Sequence, residues 1–434
     1  EVPLCLPLTH PARDGAERTG EEPGTGRVAD PRRIETQRPE RRELKGAGDV
    51  RRRHHGPRIH SSEGTSRCLT CGDATPPCQT ETVVSAPSDA PSDAPAAVLS
   101  HSYDLAMLDL DGVVYIGGEA VPGAAEHLRG VRADGMRCAF ITNNASRTPT
   151  AVAEHLTALG VDAETEDVVT SAQAAARVLV DRLGAGARVV VLGGAGLLDA
   201  VAAVGLRAVG VDEEADAVAT GYGPDVRWSE VMRVAVRVRD GLWWVASNTD
   251  LTIPTTFGVA PGHGVLVETL RRFCDVDPVV AGKPARPLLD ETVRRVGGRR
   301  PLMIGDRLDT DIDGAIAAGI DSLLVLTGVT GLADLVATPS GHRPTYVGPD
   351  LASLREPHPA PEHTERGVEI GGWAARVQDG RLTCTGAGSP GDWWRAVVPA
   401  AWAHLDETGG CADIDGLTPP EPARGQGGPV ASRP

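Results

Sequence analysis

Aromatic residues are scarce: only 3% of the 434 residues are Phe, Tyr or Trp, with three Phe and four Tyr in all. Aliphatic residues and Ala must therefore fill the core, and an apolar fraction of 41% is enough to build one. Long hydrophobic runs are missing as well. Nothing approaches the ~20 apolar residues that a membrane helix needs, so no contact with a membrane is expected. Positive charge is in deficit, with a formal net charge of -16. The basic face of a nucleic-acid binder is accordingly not expected. The opening stretch, Glu1 to Gly15, has no basic n-region and only a short apolar run, unlike a secretory leader. The eight cysteines are scattered over a long chain rather than packed into a small scaffold. Reduced thiols and a cytoplasmic setting are the expectation.

The length suggests two or three domains. Residues 1–100 hold Arg, Pro, Glu and Gly in no periodic order and close on an Ala-Pro-Ser-Asp repeat at 86–95. Such a segment buries too little apolar surface to offset its chain entropy, and disorder is expected. Acidic residues surround the basic run Arg51-Arg52-Arg53-His54-His55, which weakens its reading as a nucleic-acid arm. Cys68, Cys71 and Cys78 offer part of a zinc site, but His54, His55 and His60 stand at no standard spacing. Unpaired thiols are expected there. Residue 1 is Glu and the first Met is Met107, inside an expected strand. Much of 1–100 is therefore expected to be upstream translation absent from the cellular product. Peptides from residues 1–60 in the native protein would refute this.

From about 101 to 355, short apolar runs alternate with helical stretches. Residues 103–108, 137–142, 188–192, 242–246, 301–304 and 322–326 read as buried strands. Residues 150–159 read as an amphipathic helix closed by Gly160. This alternation predicts an α/β fold with a mostly parallel sheet, and such sheets bind ligands beyond the carboxyl ends of their strands.

Four clusters fall at those ends. In Met107-Leu-Asp109-Leu-Asp111-Gly112, two carboxylates stand two apart where a strand runs out. Asp109 can act as a nucleophile and metal ligand, and neighbouring acids should raise the pKa of Asp111 so that it can donate a proton. An Asp-Gly turn explains the same residues equally well. Thr142-Asn143-Asn144 places a hydroxyl and backbone N–H groups as a phosphate cradle, or forms an Asx-rich turn. Lys283 follows the run Val279 to Gly282, with Pro284 suited to a first helical position; its ammonium can neutralise a phosphoryl oxygen, or simply be solvated. Gly305-Asp306-Arg-Leu-Asp309-Thr-Asp311 ends a strand on an acid and enters a helix that stops at Gly319. Asp306 suits Mg²⁺, which prefers few carboxylates, and Asp311 would support it from behind. Asp309 and Asp313 read as helix caps.

Taken together, Asp109-Leu-Asp111-Gly112-Val-Val-Tyr115, Thr142-Asn143-Asn144, Gly282-Lys283-Pro284 and Gly305-Asp306 through Asp311 resemble the haloacid-dehalogenase superfamily. The nearest branch is subfamily IIA, the NagD, p-nitrophenyl-phosphatase and phosphoglycolate-phosphatase group. The resemblance spans about 103–350. It implies a Rossmann-like core (101–184 and 259–355) with an inserted α/β cap of the C2 type (185–258). It also implies a Mg²⁺-dependent phosphatase of small phosphate monoesters working through an aspartyl phosphate. Asp109 would be the nucleophile and Asp111 the general acid, then the base. Thr142, Asn143 and Lys283 would bind phosphate. Asp109, the backbone oxygen of Asp111, and Asp306 would hold the metal, with Asp311 behind them. In the cap, Asn248 and Asp250 resemble a family signature that positions the cap or touches the leaving group; a turn after a strand accounts for them equally.

The stretches Thr142–Arg147, Asp167–Gln173 and Gly305–Asp311 resemble the glycerol-3-phosphate phosphatase branch, which also extends beyond the core. Glycerol 3-phosphate is the first expected substrate; phosphoglycolate, nucleoside monophosphates and sugar phosphates follow. Residues 360–415 hold four of the seven tryptophans. They should form a small accessory module with a hairpin over 367–385 and a helix over 392–405, followed by a disordered tail from 416. A homo-oligomer is compatible with these features. A binding protein without turnover is disfavoured, because both Asp109 and Asp111 are present, and phosphate transfer to another acceptor would share the same intermediate.

Overall fold

The structure, a computed structural model, describes residues 98–420 except 256 and 366. The disorder expected for most of 1–100, the basic run at 51–55, the cysteines at 68, 71 and 78, and the tail beyond 420 lie outside the described residues. The expected N-terminal boundary falls slightly late. Leu99–Ser102 is already helical with Leu99 fully buried, and Val98 bridges Pro357.

Strands β1 (Leu105–Leu108), β2 (Arg137–Thr142) and β3 (Val168–Thr170) come first. An insertion follows, with β4 (Arg188–Leu192), β5 (Arg207–Val209), β6 (Ala217–Thr220), β7 (Trp243–Ala246) and β8 (Val279–Val280). The chain then returns through β9 (Pro301–Gly305), β10 (Asp321–Val325) and β11 (Tyr346–Gly348). The main sheet is parallel in the order β11-β10-β9-β1-β2-β3. Its centre is β1, and all four residues of that strand are buried, because a central parallel strand is covered on both faces. Ala106 and Leu108 pack on one side with Phe140 and Ile304, while Leu105 and Met107 pack on the other with Ile141 and Met303. The flanking helices carry local stop and start signals. Thr148 caps Pro149–Ala158, which ends before Gly160, and Thr170 with Gln173 forms a capping box for Ser171–Leu183.

The insertion is a second parallel sheet, β8-β7-β6-β4-β5. The apolar layer of Leu105 and Met107 runs on beneath it to Val189, Ala217 and Val245. The insertion was expected to close at 258, but its sheet continues through the helix His263–Cys274 to β8. The antiparallel hairpin Thr252–Thr255 and Gly258–Pro261, with exposed Phe257 at its tip, mimics an exit from the insertion. A two-residue strand such as β8 is too short to show a period.

The C-terminal module is larger than one hairpin. Strands β12 (Glu362–Thr364), β13 (Gly367–Ile370), β14 (Trp373–Gln378) and β15 (Arg381–Gly386) form an antiparallel sheet. The expected helix runs from Pro390 to Thr408, capped by Ser389 and stopped at Gly409. Its buried Trp393 and Trp394 join Leu324, Leu335, Val336 and Val347, so the module shares a core with the main sheet. Leu417 also packs on that cluster, so 416–420 are not free tail.

Candidate active site

Asp109 leaves β1 with its N–H bonded to the Ile304 carbonyl of β9, at 2.9 Å. Lys283 Nζ donates to Asp109 Oδ1 and to Asp311 Oδ1, both at 2.7 Å, with only 2% of the lysine side chain exposed. This lysine does not come off the main sheet. It follows β8, the edge strand of the inserted sheet, so the two layers meet at its ammonium. Pro284 is joined to it by a cis bond and precedes the helix Pro287–Val296, whose first position is Pro287 rather than Pro284.

Asn143 holds the lysine in place. Its Oδ1 accepts from Lys283 N at 2.8 Å, and its Nδ2 donates to Lys283 O at 3.0 Å and to Asp250 Oδ1 at 3.1 Å. Its backbone carbonyl accepts from Asn248 Nδ2 and Ser171 Oγ, each at 2.6 Å. A Cβ on Gly282 would stand 2.5 Å from Asn143 Oδ1, so only glycine admits this clamp. The Asn143 amide is thus committed to Lys283 and Asp250, while Asn248 and Asp250 tie the inserted layer to the loop after β2. Thr142 is buried, and its Oγ1 accepts from Asn144 N at 3.1 Å, which leaves its own hydrogen to donate.

Asp306 ends β9 with Oδ2 accepting from Val329 N at 2.7 Å, while its buried Oδ1 has no partner. Asp311 enters by a π-helical turn, Leu308–Ile312, and its Oδ2 accepts from the N–H groups of Asp306 and Arg307 at 3.2 and 3.1 Å. Carboxylate oxygens of Asp109, Asp306 and Asp311 lie within 4.8 Å of one another. Gly112 turns the chain at φ +87°, and a Cβ there would stand 2.5 Å from the Asp306 carboxylate.

The electrostatics match this crowding. Burial, then Asp109 and Asp311, push Asp306 up to about 7. Burial raises Asp109, with Lys283 opposing and Asp111 adding to it. Burial likewise raises Asp311 to about 6 against Lys283. Burial works against the ammonium of Lys283, but Asp109 and Asp311 outweigh it and raise its pKa. Three acids crowd together with one buried cation, which bonds two of them, Asp109 and Asp311, and one carboxyl oxygen is bare. That donor set fits a small divalent cation with oxygen ligands.

Asp111 departs from expectation in cause. Its pKa is raised, but by the desolvation of its surroundings; Arg147, Lys283 and the Tyr115 hydroxyl all pull the other way. Its side chain stands outside the three-carboxylate cluster. Asp309 and Asp313 are not simple caps: they pair with Arg307 at 2.7 Å and His342 at 2.6 Å. Sequence reasoning overlooked Arg147, Val329 and His263. The buried His263 bonds the Asn248 carbonyl through Nδ1 at 2.8 Å, and burial pushes it down to about 4. Only a histidine between two glycines, Gly262 and Gly264, marked it.

The Rossmann-like sheet with a second α/β layer inserted is the architecture of a hydrolase, and the similarities that follow make the chain a phosphoric monoester hydrolase. The chain belongs to the haloacid dehalogenase-like hydrolase family. The model of that family matches residues 106–207, and a HAD-hydrolase-like model matches 280–354. The D-glycerol 3-phosphate phosphatase of Mycobacterium tuberculosis is 43% identical over 318 residues, covering 70% of this chain and 87% of its own. An acid sugar phosphatase of Staphylococcus aureus is 33% identical over 251 residues, 57% of this chain and 95% of its own. The crystal structure of a glycerol phosphate phosphatase from M. tuberculosis in complex with magnesium superposes with a TM-score of 0.65 at 42% identity, covering 71% of this chain and 93% of that one. A 4-nitrophenylphosphatase from Thermotoga maritima gives a TM-score of 0.56 at 29% identity, covering 60% and 98%.

Proposed function

We propose that the chain hydrolyses glycerol 3-phosphate in two steps through an aspartyl phosphate on Asp109. The observation that carries the reaction is the Lys283 ammonium, held 2.7 Å from Asp109 beside an Asp306 oxygen without a partner. The mycobacterial relative supplies the substrate class.

Asp109 attacks phosphorus through a carboxylate oxygen, and the bond from phosphorus to the ester oxygen breaks. The departing alkoxide takes a proton from Asp111, whose pKa burial raises above that of an ordinary carboxyl. Water then attacks the acyl phosphate and gives its proton to Asp111; inorganic phosphate leaves and the Asp109 carboxylate is restored. Lys283, the Thr142 hydroxyl and backbone N–H groups of the Asn143 loop bind the phosphoryl oxygens, in keeping with the positional character of phosphoryl transfer. Asp109, Asp306 and the backbone oxygen of Asp111 would hold Mg²⁺, which, when bound, neutralises charge on the phosphate. Asp311 keeps Lys283 and the loop after β9 in place. The insertion acts as a cap, with Asn248 and Asp250 seating it on Asn143. The unpaired state of Cys138, Cys274, Cys384 and Cys411 suits a cytoplasmic setting.

The test is phosphate release from glycerol 3-phosphate, phosphoglycolate, a nucleoside monophosphate, a sugar phosphate and p-nitrophenyl phosphate, with Mg²⁺ or EDTA. Fastest Mg²⁺-dependent release from glycerol 3-phosphate, lost in Asp109→Asn, is expected. Faster release from the sugar phosphate would favour the second reading, which the staphylococcal relative supports. Release that survives Asp109→Asn would overturn the mechanism.

A further inference from the structure

His263 is buried at the start of the helix His263–Cys274, just after the hairpin Thr252–Thr255 and Gly258–Pro261. The first turn of this helix lies directly on the loop 249–252. Gly262 N and Gly264 N donate to the Leu251 and Asp250 carbonyls, each at 2.8 Å. A Cβ on Gly262 or Gly264 would run into the carbonyls of Asp250 and Thr249, so the two glycines permit the close approach that brings the imidazole to the loop.

The ring makes one hydrogen bond. Nδ1 donates to the Asn248 carbonyl at 2.8 Å, and Nε2 is buried without a partner among the described residues. A leucine of similar size would fill the same space with no bare nitrogen. The bond to Asn248 is therefore what the imidazole adds. Asn248 in turn has both ends of its amide engaged: Nδ2 donates to the Asn143 carbonyl at 2.6 Å, and Oδ1 accepts from Asp250 N at 3.1 Å. Asn143 grips the backbone N and O of Lys283, and Lys283 reaches Asp109. The loop carrying Asn248 also backs onto the lysine turn. Ala281 N donates to the Ala246 carbonyl at 2.9 Å, and a Cβ on Gly282 would stand 2.6 Å from the Ser247 carbonyl oxygen.

We propose, resting on the phosphate-binding role proposed for Lys283, that His263 is a positioning residue for that lysine. Its Nδ1–H fixes the Asn248 carbonyl and with it the place of the Asn248 amide. The amide holds the Asn143 backbone, and the Asn143 side chain sets the Lys283 backbone from which the ammonium extends to Asp109. His263 acts on the chemistry only through Asn248 and Asn143.

The test is Mg²⁺-dependent hydrolysis of p-nitrophenyl phosphate by the full chain, with the folding of each variant checked by thermal melting. The variants are His263→Leu, His263→Gln, His263→Asn, Asn143→Ala, Lys283→Met and the double variant His263→Leu with Asn143→Ala. An Asn amide N–H falls where Nδ1–H stands, and that of Gln falls where Nε2 stands. We expect kcat/KM to drop about tenfold in His263→Leu and His263→Gln and to stay within about threefold of wild type in His263→Asn. On the Asn143→Ala background, His263→Leu should lower it by less than about twofold more, because the relay is already cut. A tenfold further loss on that background would make the effect of His263 general to the fold and overturn the proposal. Equal rates in His263→Asn and His263→Gln would overturn it as well, and this comparison decides if His263→Leu does not fold. Wild-type rates in His263→Leu and His263→Gln, with activity lost in Lys283→Met, would overturn the role of His263 alone. Wild-type rates in Lys283→Met would overturn the role of the lysine and that of His263 with it.

Discussion

Replacing Lys283 by Met keeps the bulk of the side chain and removes the one cation that Asp109 and Asp311 share. Each ion pair has an N···O distance of 2.7 Å and is nearly sealed from solvent. One such pair at 2.7 Å is worth roughly 6 kcal/mol gross at an effective dielectric of about 20. Much of that is offset by the desolvation of the ammonium, and breaking a buried pair typically costs about 3–5 kcal/mol. The same figure should apply here in EDTA at pH 8. The pH dependence follows from the acids left behind. Lys283 holds down Asp109, Asp306 and Asp311, so its loss raises all three further. An acid whose folded pKa lies above its unfolded one binds protons more tightly in the native state. Its stabilising effect is present below the unfolded value and is lost as pH rises through the folded value. The deficit of Lys283→Met should therefore be largest at pH 8 and shrink below about 6, where Asp306 and Asp311 take up protons even in the wild type. Mg²⁺ should restore part of the stability at pH 8, because it brings positive charge back to the same acids. Phosphate release should fall by about 10²–10³, the usual loss for one preorganised charge-stabilising group. Urea unfolding at pH 8 and 5.5, with EDTA and with Mg²⁺, measures each part. Unchanged stability in EDTA at pH 8, or a deficit that grows toward acid, would refute the reasoning.

Asn143→Ala removes the clamp on the Lys283 backbone and should lower kcat/KM by about 10²-fold through misplacement of the lysine, with full-length folding checked by thermal melting. His263 titrates in the opposite sense to the acids. Its pKa is depressed from 6.5 to about 4, so its stabilisation is complete above pH 6.5 and disappears as pH falls through 4; that amounts to about 3 kcal/mol by linkage. His263→Asn should flatten this part of the stability profile between pH 6.5 and 4, and parallel profiles would count against it. Gly112→Ala forces a Cβ at φ +87° against Asp306 and should cost about 1 kcal/mol or more, with a rise in the Mg²⁺ concentration for half-maximal activity. Trp393→Ala empties a site that is 2% exposed in the C-terminal cluster and should cost about 3–5 kcal/mol, measured as a shift in urea midpoint, while kcat of the folded protein stays near wild type.

The amino-acid sequence alone determined whatever is written locally. Short unbroken apolar runs located β1, β2, β4, β9 and β10 to within a residue or two, because a strand buried on both faces needs such a stretch. Glycines in the left-handed region stopped helices where they were expected, at Gly160 and Gly319. Asp109, Lys283 and Asp306 could be singled out because each follows such a run, Thr142 because it ends one, and Asp111 because it stands two residues beyond Asp109. Tertiary structure decided the rest. The bond from Lys283 to Asp109 spans 174 residues and that from Asn143 to Lys283 spans 140. No local pattern says that Asn143 serves the lysine, or that β8 belongs to the inserted sheet. The raised pKa of Asp111 comes from what surrounds it in space rather than from its neighbours in sequence. Hydrogen bonding to near neighbours and side-chain periodicity act over a few residues, so the sequence displays them. Burial, charge and the choice of partner depend on which distant segments the fold brings within a few ångströms, and those exist only once the sheets have formed.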